Sequence, residues 1–239
     1  MNRRLLPVWA LCAGLAGCGD KAAEPAPVAP TAFPGDAAAV TLPADLPEDA
    51  VFLVEDKVIT RAEIERWVAG YRTVEPGKSE HALRRFVVTN QNLPVVVAGL
   101  IDPLGREAAL EQMQEARRRV LAGEAMQADG PEVRTVSGPW KSEVGLDRWC
   151  VAQETPLGEW SEIYETVGGF RMVRPVRIPT PWMGNGEVTL ETIDVRFLPA
   201  EETRDIVRAG FEQVDITVID EEWGRYLPTL YLYKQRTPQ

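Results

Sequence analysis

Pro25, Pro27, Pro30, Pro34, Pro43 and Pro47 all fall within the 32 residues Gly19–Ala50, among many alanines and few large apolar side chains. Each proline fixes φ and removes a backbone donor. A stretch this poor in apolar surface cannot offset the entropy of ordering it. It reads as a semi-extended tether with an r.m.s. reach of roughly 30 Å. The fold must therefore come from residue 50 onward. Of the 239 residues, about 190 remain, enough for one large domain or two small ones at roughly 100–200 residues each.

The segment before the tether reads as an address. Met1 to Arg4 form a basic head, and Leu5 to Ala16 form an apolar run too short to span a bilayer, which takes about 20 apolar residues. It closes on Leu15-Ala16-Gly17-Cys18, which resembles the lipobox of bacterial lipoproteins. That resemblance implies cleavage before Cys18, a diacylglycerol on its thiol and an anchor in the bacterial cell envelope, with the body facing the periplasm. Gly19, in place of an aspartate, slightly favours the outer membrane. Cleavage removes 17 residues and two arginines, taking the net charge from −10 to −12. It also removes Cys12, leaving Cys150 as the one thiol, so no intramolecular disulfide is expected. Cys150 reads as a small buried hydrophobe, without the histidine that usually activates such a thiol.

Composition excludes several classes of function. A net charge of −10 opposes nucleic-acid binding, which needs a basic surface to displace counterions from phosphates. One histidine rules out sites that take two imidazoles, including two-His zinc motifs. No metal site or cofactor is expected. The acid pairs Glu201-Glu202 and Glu221-Glu222 point to different sides of a helix and read as solvated faces, against a hydrolase.

Local patterning sets the elements. Ala50 to Val54 reads as a strand and Glu55-Asp56-Lys57 as a turn. Thr60 and Glu63 then have the capping-box spacing, and Ile59 and Ile64 that of a hydrophobic staple. Ile64, Trp67, Val68 and Tyr71 form the helix's apolar stripe. Glu75 to Lys78 breaks the chain, and Ser79 caps a helix carrying Leu83, Phe86 and Val87. Leu93 to Ile101 stays open. Its β-branched run suits a strand, while Pro94 suits the first turn of a helix. Asp102-Pro103 starts a long helix with Ala109, Met113, Ala116 and Val120 on one face, stopped by Gly123; Arg117 to Arg119 are its solvated side. From Gly130 onward strands and turns take over, with Gly138–Trp140 and Gly145–Trp149 as loop or short strand. Phe170 to Ile178 alternates as a strand, and Pro175 makes it an edge or ends its pairing. Val188 to Leu198 is a strand whose alternation slips at Thr192, as at a bulge. A helix is expected over 201–209, and strands over 214–218 and 230–233.

Two stretches resemble the SurA- and PrsA-type periplasmic foldases, which join a helical chaperone region to parvulin-type peptidyl-prolyl isomerase domains. In Val51 to Tyr71, Val54-Glu55-Asp56-Lys57-Val58-Ile59-Thr60 is similar to the family's opening strand, turn and capped helix. Gly158-Glu159-Trp160-Ser161, leading through Thr166 to Gly169-Phe170-Arg171-Met172-Val173, is similar to the closing parvulin motif. Leu121-Ala122-Gly123-Glu124 is similar to the end of a parvulin helix.

The resemblance implies an α+β fold: a helical chaperone-like region (50–125), a small parvulin-like antiparallel sheet with packed helices (126–180) and an α/β extension (181–239). These follow the signal (1–17) and the tether (18–49). The implied function is protein folding, with unfolded or nascent envelope proteins as clients. On that reading Trp149, Thr166, Phe170 and Arg171 line a peptide groove, with the mature chain's six tryptophans as apolar contacts. Active parvulins carry two histidines. Here one position is Arg171, and on a strand reading of 93–101 the other falls among Val97, Ala98 and Gly99, so no catalytic residue is assigned. A rival reading is an envelope-assembly lipoprotein that binds one protein partner.

Overall fold

Strand β1 (Ala50–Val54) is buried at every position, so it reads as a short uninterrupted apolar run with no alternation. A turn at Glu55 and Asp56 returns the chain along β2 (Lys57–Thr60), antiparallel to β1. Helix α1 (Arg61–Val74) starts on the expected capping box. The Glu63 N–H donates to Thr60 Oγ1 at 3.2 Å, and the Thr60 N–H donates to Glu63 Oε2 at 2.9 Å. Ile59 and Ile64 are both buried in the core beneath it.

Ser79 caps α2 (Glu80–Val87). The helix does not end there. It widens into a π-helical segment, Val88–Asn92, and continues as α3 (Leu93–Ile101). The open question at 93–101 is thus decided in favour of helix. In a regular α-helix the Pro94 ring would meet the carbonyl four residues back, at Asn90. A π turn just before the proline relaxes that constraint. Val97 and Ala98 are fully buried, which explains why the segment shows no polar face. Asp102, with φ −131°, breaks the helix and caps α4 (Pro103–Ala122), the Gly105 N–H donating to Asp102 Oδ1 at 2.9 Å. Gly123, at φ 70°, ends it in the left-handed region that favours glycine.

The second sheet is antiparallel, in the order β3 (Arg134–Pro139), β6 (Glu187–Arg196), β5 (Gly169–Arg177), β4 (Tyr164–Thr166). Helix α4 covers one face, where Ala109, Met113 and Ala116 meet Phe170, Met172, Ile193 and Val195. Helix α5 (Leu146–Glu154) lies against the other and against α1. There Trp149 to Ala152 join Val173, Val188 and Leu190 in the larger core. After β6 come α6 (Thr203–Gly210), packed on α3, and β7 (Ile216–Val218), which pairs with the free side of β1 to give the order β2-β1-β7. A 3-10 turn, Glu221–Tyr226, follows.

The structure, a computed structural model, describes residues 43, 45–126, 130–139, 144–178 and 187–228. The signal, Cys18, nearly all of the tether, Trp140, Trp182 and the expected strand at 230–233 lie outside the described residues. Among the described residues the fold is α+β, with two antiparallel sheets and six α-helices. Residues from Thr41 onward make one compact unit. The segments 50–125, 126–180 and 181–239 are not separate bodies, because β6 sits inside the second sheet and β7 completes the first.

Two local expectations differ from the structure and one holds. Gly145 to Trp149 is the start of α5 and not a loop or strand, because Trp149 to Ala152 can all be buried between sheet and helix. At Pro175 strand β5 has β6 as its one strand partner, because β4 pairs only as far as Arg171. The register shifts between Pro175 and Arg177, just after the residue that lacks an N–H, as expected of a proline on an open strand side. Strand β6 runs in regular register through Thr192, so the slipped alternation there is not a bulge.

Candidate functional site

Thr192 is a polar residue 1% exposed, and it is buried because it belongs to an ionic cluster. On a strand, residues two apart share a face. Thr192 and Asp194 of β6 therefore point the same way, and the register sets Arg171 of β5 opposite Asp194. The first turn of α5 brings Asp147 and Arg148 onto this face. The Arg171 guanidinium donates from Nε to Asp194 Oδ1 and from Nη1 to Asp147 Oδ2. Thr192 Oγ1 donates to Asp194 Oδ2 at 2.7 Å. Arg148 lies within 3.5 Å of the same oxygen and donates to the Val144 carbonyl at 3.1 Å. Two arginines and two aspartates leave the cluster with no net charge.

Burial by itself would push the Asp194 carboxyl up. The Arg171 guanidinium and the Thr192 hydroxyl outweigh it and hold the carboxyl below its ordinary range. Burial opposes the charge on Arg171 as well, yet Asp147 and Asp194 keep it firmly protonated. The phenol of Tyr164, enclosed beside the cluster, is pushed well above its usual value by burial. A guanidinium fixed between two carboxylates is a permanent donor and does not shuttle protons.

The four residues expected to line a groove are not brought together. Arg171 is in the cluster. Phe170, its neighbour on β5, points to the opposite face and is buried under α4, with the Arg106 guanidinium 5.5 Å from its ring centre. Arg106 in turn holds Glu165 through two bonds of 2.7 Å, pinning α4 to β4. Trp149 is 1% exposed, and its indole N–H donates to Thr73 Oγ1 at 3.2 Å, tying α5 to α1. Thr166 is half-buried at the β4–β5 turn, where Gly168 takes φ 77°. Of the other described tryptophans, Trp223 is buried, while Trp67 and Trp160 pack against the two cores.

The remaining candidates resolve simply. His81 lies in the first turn of α2, exposed, its ring 5.1 Å from that of Tyr226. Burial pushes the Cys150 thiol up, which suppresses the reactive thiolate. A shallow depression between Arg66, Trp67, Cys150, Val151 and Glu154 is bridged by the Arg66–Glu154 ion pair at 2.6 Å. Glu201, Glu202, Glu221 and Glu222 are exposed. No grouping of metal-ligating side chains occurs among the described residues, and no described helix is long and apolar enough to cross a membrane.

Asp147, Arg148 and Asp194 carry no local sequence signal, and Thr192 shows one only as a break in alternation. The one visible signal was the slip in alternation at Thr192, which marks inward-facing polar residues with partners on other elements. No protein-family model matches the chain, and no curated protein or solved structure matches it.

Proposed function

We propose that the protein is a lipid-anchored envelope factor of the SurA/PrsA kind that assists other proteins by binding them and not by isomerising prolyl bonds. The observation that carries this reading is the state of Arg171. Where the family it resembles keeps a histidine, this chain has an arginine held by Asp147 and Asp194. The helix at 93–101 supports the same conclusion, since Val97, Ala98 and Gly99 lie on α3 and not on a sheet strand. On this reading the β4–β5 hairpin, with α4 and α5, is the remnant of a parvulin-like domain. The prolyl rotation barrier is about 18–20 kcal/mol, and a guanidinium committed to two carboxylates stands in place of the histidine that would assist its crossing in the parvulin manner. A proline-containing tetrapeptide assay tests the proposal: isomerisation at the uncatalysed rate is expected, and a clear acceleration overturns it.

The choice of client follows a second observation. The described tryptophans are spent on the cores, so no aromatic groove for diverse peptides is open among the described residues. This favours one folded partner over many unfolded clients. Affinity capture from envelope extracts is then expected to return one stoichiometric protein. Capture of many proteins, with suppressed aggregation of an unfolded client, supports the general chaperone instead.

A further inference from the structure

We draw no further inference here: the strongest candidate, the outer edge of β3 in the four-stranded sheet, with which no described strand pairs, carries no proposal because nothing in the structure shows what covers it.

Discussion

Arg171 illustrates how much one buried charge depends on its partners. With its side chain 13% exposed, it bridges Asp147 and Asp194, which without it would face only Arg148, 3.5 Å from Asp194. Breaking such a pair from one side typically costs about 3–5 kcal/mol, more than the pair itself contributes. Arg171→Met should therefore lower the unfolding free energy by about that much in denaturant titration, and Arg171→Met with Asp194→Asn should recover part of the loss. A double variant as unstable as the single one would show that the charges are not coupled. Asp194 also sets an acid-side dependence. Its folded carboxyl is held below the ordinary value, so the native state binds fewer protons than the unfolded chain. The stability it contributes is complete above the unfolded carboxylate value, about 3.9, and is lost as pH falls through the depressed folded value. Asp194→Asn should flatten the stability profile below about pH 4 and leave the slope near neutrality unchanged.

The thiol of Cys150 gives a further check at this scale. With Cys12 and Cys18 replaced by serine, iodoacetamide should modify the folded chain slowly and the urea-unfolded chain rapidly. Burial both blocks access and disfavours the thiolate. Rapid labelling of the folded protein would mean that α5 is not seated as described.

Among the elements, the seam between α1 and α5 is the tightest test of packing. A Cβ built at Gly70 would stand 2.6 Å from Cys150 Sγ. Alanine is better than glycine inside a helix by about 1 kcal/mol, whereas overpacking a core costs about 1–3 kcal/mol. The clash should win, so Gly70→Ala is expected to destabilise; adding Cys150→Ala removes the Sγ contact but leaves the residue 150 Cβ at 2.8 Å, so it should recover part of the loss without reversing its sign. Thermal unfolding of the two variants reads both effects. At the other end of α1, Thr60→Ala should cost about 1 kcal/mol through loss of the cap. This helix was legible in advance because its caps and its stripe, Ile64, Val68 and Tyr71, are local. Helix α5 was not legible. Its start, Gly145 at φ 85°, carries no side-chain cap, and its residues are buried on more than one side.

For the whole molecule, chain order and spatial order differ. Strand β6, from the last quarter of the sequence, lies between β3 and β5, and β7 pairs with the first strand. A chain ending at Ile178 would lose both, leaving β3 without its partner and the second core without Ile193 and Val195. Such a chain should show no cooperative thermal transition by circular dichroism, whereas a chain starting at Pro43 should retain one. Cooperative folding of the chain ending at Ile178 would show that β6 and β7 are not needed to complete the cores.

By itself the sequence determined what depends on neighbours a few residues apart. That includes the capping box at Thr60, the helix start at Asp102 and stop at Gly123, the alternation of β5 and the α+β balance, because hydrogen-bond spacing and side-chain periodicity act over one or two turns. The tertiary structure decided what depends on residues far apart in the chain. It made 93–101 a helix by burying Val97 and Ala98, and it turned Phe170 and Arg171 to opposite faces of one sheet. It also gathered Asp147, Arg171 and Asp194 into a single neutral cluster. A buried charge is tolerated only where its counter-charges arrive, and strand register together with helix docking brings them there.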